Sequence, residues 1–365
     1  MKILFLGLTK AQYIYFKRLS SNLKCQSKVI FFPSLYISID GFRLLKLINT
    51  EPILNLKFKE VDIKYKNSFY NKLYKLLLKF QIIWFILFIY RYLQRYNPEF
   101  LAIWNGKKFH QQLALEVIKI LDIKPIFFEN GVMPDTTTLD CKGVNASNSI
   151  PRDIEFFKNL KYKNIQLPKE LIERKPKNID IRLNQKIPKE YIFIPFQVAY
   201  DTQITQHSPW IENMFELFDI IKDISKEIDI NFVIKEHPSD RISIYDKLYQ
   251  KAGDKIIFSS QNTQTLIQNA KAVVTINSTV AIEAMLFYKR VVVLGEAFFA
   301  IDGLVKVAKD KKQLIEILKN IDKFNIDKEL IDKFLSYLHD EYLIPDSWRN
   351  PTEKHFRAIE RKIQC

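Results

Sequence analysis

The sequence predicts an α/β protein made of two halves, and three observations support this fold class. The chain has 365 residues, enough for two domains, and 47% of them are hydrophobic, enough for a core in each. From residue 190 onward, short apolar runs alternate with stretches of helical length, the pattern of strand–helix–strand units in a parallel sheet. Residues 161–189, rich in lysine, proline and asparagine, are predicted to link the halves.

The first half opens with an alternation of strand and helix. Residues 2–7 form an apolar run that is too short for the core of a signal peptide and is predicted as the first strand. Residues 41–66 are basic and weakly patterned, and no element is predicted there. The other elements expected in this half are strands at 28–32, 100–104 and 125–128, and helices at 11–23, 69–96 and 109–121.

The helix predicted at 69–96 contains nine consecutive apolar residues, 82–90, with basic residues on both sides: Lys72, Lys75, Lys79, Arg91 and Arg95. A run of nine is too short to span a bilayer, which needs roughly 20 residues. Two interpretations stay open. The segment is a buried core helix, or it is an interfacial helix whose lysines face anionic headgroups, and both can hold along one helix.

Positive charge is concentrated in the first half. Residues 1–110 hold 19 lysines and arginines against 5 acidic residues, a net charge of +14 out of +15 for the chain. A one-sided basic half indicates an anionic partner, either a membrane or a nucleic acid. The basic segment has no recognisable nucleic-acid-binding module, and its aromatic residues lie in apolar runs, so a membrane surface is favoured.

Polar residues follow the strand predicted at 125–128. Glu129 stands at its carboxyl end, and Gly131 permits a tight turn. Residues 133–151 are a long polar segment that includes Asn145 and is followed by Arg152. Such a segment is a solvated loop by default, but long loops in compact domains are often functional, and both interpretations stay open.

The second half alternates more regularly. Its strands are predicted at 191–195, 231–235, 255–258, 272–275 and 291–294, and its helices at 210–228, 243–251, 263–269, 280–288 and 311–320, with a helical tail at 326–365. The carboxyl ends of parallel strands meet at one edge, where open α/β sheets bind their ligands.

The first strand of this half is followed by a polar stretch without helical or strand periodicity. It contains four candidate site residues: Gln197, Asp201, Gln203 and His207. The simple alternative is a surface loop in which Ser208 caps a helix that starts at Pro209.

Two further strand ends carry polar groups. Lys235 ends one strand and is followed by His237-Pro238; another strand leads into Asn277-Ser-Thr279, which open a helix that contains Glu283. The N-terminus of a helix offers unpaired N–H groups to a phosphate. Taken singly, these residues form an ordinary helix cap and an ordinary turn. Together with Asp201 and His207 they predict one binding site at the carboxyl edge of the sheet.

Composition argues against several other kinds of site. Eight glycines are few for this length, and neither a P-loop nor a GxGxxG fingerprint occurs. The three cysteines, Cys25, Cys141 and Cys365, are scattered without CxxC spacing. That argues against a zinc site and a disulfide framework, and suits a reducing cytosol.

At these motifs the chain resembles a known family, the retaining β-Kdo transferases of capsule lipid assembly that include KpsS and KpsC. The resemblance covers residues 129–304 in the family's order, and the chain is nearer the single-module KpsS type. It is carried by Glu129-Asn-Gly131, Gly143-Val-Asn-Ala, Pro151-Arg-Asp153, Gln197, Asp201-Thr-Gln-Ile204, His207-Ser208, Val233-Ile-Lys-Glu-His-Pro238, Asp240-Arg241, Val273-Val-Thr-Ile-Asn-Ser-Thr279, Leu294-Gly-Glu and Gly303-Leu304.

The resemblance implies a GT-B-like fold, with two Rossmann-like domains facing a central cleft, and CMP-Kdo as the donor. The implied N-terminal domain, residues 1–160, faces the acceptor and the membrane. The implied CMP-sugar-binding domain covers 190–325, and helices at 326–365 are expected to pack back toward the N-terminal domain. We expect no metal and no cofactor, because lysine, histidine and helix N–H groups neutralise the phosphate.

The resemblance also implies roles for single residues. Asp201 is the expected nucleophile, which forms a glycosyl–enzyme adduct and so allows retention of configuration. Glu129 is the expected general base toward the acceptor hydroxyl, although the family motif is more often doubly acidic and Asn130 departs from it. The other expected site residues are His207 in catalysis, Lys235, His237, Pro238, Asn277, Ser278, Thr279 and Glu283 for the nucleotide, and Gln197, Gln203, Asn145 and Arg152 for donor and acceptor.

The predicted function is transfer of Kdo to a (lyso)phosphatidylglycerol-type lipid in capsular polysaccharide assembly, by a cytoplasmic enzyme peripheral to the inner face of the membrane. The expected partners are CMP-Kdo, the lipid acceptor, the membrane surface and the capsule assembly and export machinery, but no nucleic acid. Two alternatives stay open: a transferase of another CMP-nonulosonate such as sialic acid, and a basic nucleic-acid- or membrane-binding protein without catalysis.

Overall fold

The computed structural model describes residues 1–34, 36–65, 69–161, 167–168, 170–171, 186–198, 201–240 and 245–363. The chain divides into two compact units: unit 1 (residues 1–131, 135–149 and 343–365) and unit 2 (residues 132–134 and 150–342). Each unit contains one six-stranded sheet. The predicted α/β fold with two Rossmann-like domains is therefore confirmed. The predicted linker, 161–189, lies largely outside the described residues.

The described strands are β1 Lys2–Gly7, β2 Gln26–Phe31, β3 Phe100–Trp104, β4 Lys124–Asn130, β5 Thr136–Asp140, β6 Tyr191–Pro195, β7 Asn231–Lys235, β8 Ile256–Phe258, β9 Ala272–Thr275, β10 Arg290–Val293, β11 Lys306–Val307 and β12 Leu343–Pro345. The described α-helices are α1 Lys10–Asn22, α2 Phe42–Leu45, α3 Glu51–Tyr65, α4 Phe69–Tyr96, α5 Phe109–Ile120, α6 Ile154–Lys158, α7 Thr202–His207, α8 Met214–Glu227, α9 Asp246–Lys251, α10 Thr263–Asn269, α11 Val280–Leu286, α12 Lys311–Lys319, α13 Lys328–Ser336 and α14 Glu353–Lys362.

The sheet of unit 1 has the order β12-β5-β4-β3-β1-β2. Strands β1 to β4 pair in parallel, whereas β5 runs antiparallel to both β4 and β12. Strand β5 corrects the expectation of a polar loop throughout 133–151. Its three threonines are β-branched and favour extended backbone, and pairing on both sides satisfies its peptide groups.

The core of unit 1 is centred on the second half of α4. Phe85, Ile86, Phe88 and Ile89 are fully buried there, together with apolar residues of β1, β3 and α5. Helices α2 and α3 occupy the basic stretch 41–66, where the sequence predicts no element. They form because Leu44, Ile53 and Val61 reach this same core.

Unit 2 has the strand order β11-β10-β9-β6-β7-β8, with all pairs parallel. This is the strand order of a dinucleotide-binding Rossmann domain. In such a domain the first and fourth strands are neighbours, and the order of the following strands runs outward in opposite directions from that point. Here that switch point lies between β6 and β9. The helix predicted at 210–228 begins later, at Met214, where the side chain of Asn213 accepts hydrogen bonds from the N–H groups of Phe215 and Glu216.

The C-terminal segment and one cysteine differ from expectation. The tail predicted as helical contains β12, which joins the sheet of unit 1, and only then α14. Cys141 is disulfide-bonded, where the scattered cysteines predicted no disulfide.

Candidate functional site

Two buried amide side chains meet at the switch point of unit 2. Gln197 follows β6 and Asn277 follows β9, and they are 7% and 5% exposed. Gln197 Nε2 donates to Asn277 Oδ1 at 2.9 Å, and Asn277 N donates to Gln197 Oε1 at 3.2 Å. Both residues are predicted to contact donor or nucleotide, and that stays a prediction. In the structure their amides hold two strand ends together, 80 positions apart in the chain.

Asn277 also fixes helix α7 over the sheet edge. Its Nδ2 donates to the carbonyl oxygens of Gln203 at 2.9 Å and His207 at 3.0 Å. Gly295, after β10, lies so close that an added Cβ would stand 2.7 Å from the His207 carbonyl oxygen. The end of α7 is thereby held by residues that follow both β9 and β10.

His207 and Gln203 each present a buried side-chain nitrogen without a hydrogen-bond partner among the described residues, Nε2 in both cases. His207 Nδ1 lies 2.9 Å from Glu296 Oε2. A carboxylate only accepts, so Nδ1 carries the proton, and Nε2 is left to accept a proton or a ligand hydrogen bond. Glu296 is not among the predicted site residues, although it belongs to the motif Leu294-Gly-Glu of the sequence resemblance.

Asp201 is exposed and is the N-cap of α7, where Oδ1 accepts a hydrogen bond from Gln203 N at 2.9 Å. The sequence alternative that places the cap at Ser208 is therefore wrong, since Ser208 ends this helix. Oδ2 of Asp201 makes no hydrogen bond to the described residues. One oxygen of the carboxylate is thus engaged in capping, and the other faces solvent.

A pocket at the carboxyl ends of β6 and β7 contains most of the predicted nucleotide-binding residues. Lys235, His237 and Pro238 line it from the end of β7, and Ser278 and Glu283 line it from the start of α11. Ser239 N donates to His237 Nδ1 at 3.1 Å, so in the neutral ring the proton is on Nε2, a donor suited to a phosphate oxygen. Thr279 and the buried Asn277 do not line this pocket.

The pocket also contains residues that the sequence did not single out. They are Leu171, Phe193, Pro195, Phe196, Glu236, Asn262, Thr263, Gln264 and Val280. Asn262 caps α10 after β8, so the reasoning that identified Asn277 applies to it too. Leu171 belongs to the predicted linker, and its N–H donates to Gln264 Oε1 at 2.8 Å. No sequence pattern indicates that contact.

Unit 1 holds Glu129 at the end of β4. Its carboxylate accepts three hydrogen bonds, from Asn105 Nδ2 at 2.6 Å, Asn130 N at 2.8 Å and Asn130 Nδ2 at 2.9 Å. A carboxylate has about four acceptor positions, so roughly one remains for a substrate hydroxyl. Gly131 follows because an added Cβ would overlap Thr136 Oγ1 at 1.9 Å.

The loop after β5 is organised by a buried acid that the sequence did not identify. Asp140 accepts from Lys142 N at 2.6 Å, Gly143 N at 3.2 Å, Ser149 N at 2.7 Å and Ser149 Oγ at 2.8 Å. Asn145 lies half-buried in this loop. Arg152 belongs to unit 2, is exposed, and donates from Nη1 to the Ile150 carbonyl. Arg241, part of the sequence resemblance, lies outside the described residues.

Among the described residues no group of three or more histidine, cysteine, aspartate or glutamate side chains is placed to hold a metal ion. The side chains that line the pocket offer hydrogen-bond donors, one lysine charge and the carboxylates of Glu236 and Glu283. Such a set suits a ligand that carries both an anionic group and hydroxyl donors.

A family model described as "Capsule polysaccharide biosynthesis protein" matches residues 158–345, more than half of the chain. The match covers the pocket, α7 and the switch point.

Three curated proteins are similar in sequence. Protein FixF of Sinorhizobium fredii is 34% identical over 253 residues, which cover 68% of this chain and 61% of that protein. Capsule polysaccharide export protein KpsS of Escherichia coli is 26% identical over 51% of this chain and 64% of that protein. Capsule polysaccharide modification protein LipB of Neisseria meningitidis is 25% identical over 53% and 52%. The chain thus spans about half to two thirds of the length of these relatives.

A solved structure shares the fold. The β-Kdo 2,7 transferase of Thermosulfurimonas dismutans KpsC aligns over 100% of this chain and 99% of its own with a TM-score of 0.53, at 15% sequence identity.

Proposed function

We propose, from the premise that the chain belongs to the family of capsule polysaccharide biosynthesis proteins, that it is a retaining glycosyltransferase that uses CMP-Kdo. The observation that carries the proposal is the pocket of unit 2. Lys235, His237 and Ser278 converge there at the ligand-binding edge of a Rossmann sheet. The fold shared with a Kdo transferase of another organism supports it.

The pocket would hold the cytidine monophosphate part of the donor. Lys235 supplies positive charge, and His237 Nε2 and Ser278 Oγ supply hydrogen bonds to the phosphate. The carboxylate of Glu283 lines the same pocket and suits the ribose hydroxyls, which are donors. This arrangement binds a nucleoside monophosphate without a metal ion.

Transfer with retention needs two displacements, and Asp201 is the proposed nucleophile for the first. Its free oxygen attacks the anomeric carbon, the bond from that carbon to the phosphate oxygen breaks, and CMP leaves with the electron pair. The acceptor hydroxyl then attacks the anomeric carbon from the face that CMP left, opposite Asp201, and the bond to the Asp201 carboxylate breaks. The hydroxyl proton passes to Glu129, whose remaining acceptor position is suited to it.

His207, at the opposite end of α7 from Asp201, would also act on the donor. Glu296 orients the ring through Nδ1. In its charged form the ring donates from Nε2 to the carboxylate of Kdo or to the departing phosphate. Gln203, with its buried amide nitrogen lacking a partner among the described residues, offers a second donor nearby on the same helix.

The acceptor proposed is a (lyso)phosphatidylglycerol-type lipid, and the proposed location is the cytoplasmic face of the inner membrane, with the capsule assembly and export machinery as partner. A family role in capsule assembly and the strong positive charge of residues 1–110 support this location.

A donor panel tests the proposal. Titration calorimetry should show binding of CMP and CMP-Kdo, and markedly weaker binding of UMP. Tight binding of CMP-sialic acid with no response to CMP-Kdo would move the assignment to another nonulosonate. Binding of none of the cytidine nucleotides would overturn it.

A further inference from the structure

The two halves of helix α4 have opposite surroundings. From Phe85 to Tyr90 every side chain is buried in the core of unit 1. From Phe69 to Ile83, in contrast, seven large apolar side chains are at least 38% exposed: Phe69, Tyr70, Leu73, Leu76, Leu77, Phe80 and Ile83. Contiguous exposed apolar surface of this kind marks an interaction site.

These seven residues lie on one side of the helix, and we call them the apolar stripe. Phe69, Leu73, Leu76, Phe80 and Ile83 repeat at intervals of four and three residues, which keeps them in line on an α-helix. The stripe is about 22 Å long at 1.5 Å per residue. Its three most exposed side chains are aromatic: Phe69 at 76%, Tyr70 at 74% and Phe80 at 61%.

The opposite side of α4 is attached to α3. Asn71 Nδ2 donates to Asp62 Oδ1 at 2.8 Å, and Lys75 Nζ lies 2.7 Å from the same oxygen. Leu78 and Ile82 are buried on that side. The apolar stripe is therefore an outward face of a helix whose inward face is already packed.

A second group of exposed apolar side chains continues the surface. Gly41 lies against Leu87, since an added Cβ there would stand 2.9 Å from Leu87 Cδ2. Leu87 is four residues after Ile83 and so continues the line of the stripe. The segment around Gly41 thus covers the stripe at that point and exposes Ile39 at 78%, Phe42 at 49% and Leu47 at 66%.

The charge around the stripe identifies its occupant. Helix α4 contains five basic residues and no acidic residue, and residues 1–110 carry a net charge of +14. Lys72 and Lys79 are exposed and border the stripe, seven residues apart. Two copies of this face would bring like charges together, whereas an anionic bilayer offers acyl chains to the stripe and headgroups to the lysines.

We propose that the apolar stripe of α4, bordered by Lys72 and Lys79, is a membrane-insertion face that lies in the plane of an anionic bilayer. By length and composition α4 would suffice to cross a membrane, with a mean hydropathy of 1.7 over its most apolar window, and 44% of that window is buried inside the protein. Residues that pack in the core of unit 1 do not contact lipid in the same state. The helix therefore inserts along its exposed side and does not span.

The test is sedimentation of the full chain with vesicles of phosphatidylglycerol and phosphatidylcholine, without any donor. The variant Leu73→Gln/Leu76→Gln/Phe80→Gln should bind at least about 30-fold more weakly than the unchanged protein. A matched control, Ile14→Gln/Ile120→Gln/Phe215→Gln, changes three exposed apolar residues elsewhere and should bind as before. Equal binding of stripe variant and unchanged protein would overturn the proposal.

Substitution of the bordering lysines tests the proposal independently in the same vesicle assay. Lys72→Gln/Lys79→Gln should weaken binding about tenfold or more at low salt, and the loss should shrink as salt is added, because each basic residue contributes about 1 kcal/mol at an anionic surface. Lys75 is left unchanged because it is paired with Asp62. The control Lys312→Gln/Lys319→Gln removes two exposed lysines of unit 2 and should bind as before.

Two further measurements test whether the stripe substitutions act through unfolding or through a change in assembly state. Near-ultraviolet circular dichroism should show that the stripe variant keeps its tertiary structure, since the changed residues are exposed. Analytical ultracentrifugation should show no change in assembly state. A dimer that the stripe substitutions dissociate would assign the face to a second copy and overturn the lipid proposal. Because no donor is present, a negative result in the vesicle assay does not contradict the transferase proposal. A negative result in the donor assay likewise does not contradict the membrane-insertion face.

Discussion

Polar residues at the ends of strands are satisfied differently in the two units. In unit 1, Glu129 accepts three hydrogen bonds and Asp140 accepts four, all from the surrounding chain. In unit 2, Gln197 and Asn277 satisfy each other below the surface, while Gln203 and His207 above them keep a buried nitrogen with no partner among the described residues.

The difference separates polar residues that hold the fold from those that are available to a ligand. A buried donor or acceptor without a partner costs about 1–3 kcal/mol, which a ligand group can recover on binding. Substitutions of Gln203 and His207 in unit 2 should therefore change ligand binding and turnover. Substitution of Asp140 in unit 1 should change stability.

The largest effect is expected at Asp201. Asp201→Asn should lower turnover by at least about 100-fold because the proposed nucleophile is lost. Asparagine caps a helix about as well as aspartate, so the midpoint of thermal unfolding should not change. Asp201→Ala should be equally inactive and lose up to about 1 kcal/mol of stability with the cap. More than a few per cent of turnover in the asparagine variant would exclude a covalent role.

Asp140 in unit 1 should show the opposite behaviour. Asp140→Ala leaves four donors of the loop 142–149 without their acceptor and should lower the free energy of unfolding by about 3 kcal/mol or more. Its affinity for CMP should equal that of the unchanged protein. A weakened CMP affinity with unchanged stability would contradict the distinction between the polar residues of unit 1 and those of unit 2.

A histidine in each unit sharpens the comparison, because His110 and His207 both have a buried Nε2 without a partner among the described residues. His110 packs against the rings of Phe32 and Phe85, with centroid distances of 5.0 Å to each. Burial, and secondly the charge of Lys57, lower the pKa of His110 to about 4. The neutral ring is therefore the form that the folded protein favours.

The sign of the pH dependence follows from that lowered pKa. Near pH 7 both folded and unfolded chains hold His110 neutral, and its contribution to stability is intact. As the pH falls below about 6.5 the unfolded chain takes up a proton that the folded chain does not, and about 3 kcal/mol is lost by pH 4. Urea unfolding at several pH values should show that His110→Phe removes this part of the decline. Parallel profiles for the two proteins would contradict it.

The smallest effects are expected in the pocket. His237→Ala and Ser278→Ala should each weaken CMP binding by about 1–3 kcal/mol through a lost hydrogen bond to the ligand. Calorimetry with CMP measures this, and Ser239→Ala, a neighbour that contacts His237 through its backbone, serves as the control. Unchanged affinity in both pocket variants would place the nucleotide elsewhere.

Much of this arrangement follows from local sequence pattern. The alternation after residue 190 predicts the parallel sheet, and polar residues directly after β7 and β9 predict the pocket, because strand ends converge. Local pattern does not show which polar groups satisfy each other. Gln197 and Asn277 are paired across 80 positions, and Glu296 meets His207 across 89.

The sequence also does not show which polar residues are buried. The hydrophilic composition of 133–151 predicts a loop, whereas the structure has β5 and the buried Asp140 there, whose polar groups bond to the chain rather than to water. The sequence predicts the bounds of helix α4 correctly. Composition alone does not distinguish its buried half from its exposed half. That distinction depends on where α3 and α5 pack.

The most direct test of the central claim is mass spectrometry of a reaction that contains the protein, CMP-Kdo and a lysophosphatidylglycerol acceptor. We predict release of CMP together with a lipid product heavier by one Kdo residue. Without acceptor, the intact protein should gain one Kdo, which peptide mapping places on Asp201. Unchanged donor, lipid and protein masses after prolonged incubation would contradict the assignment as a CMP-Kdo-dependent transferase.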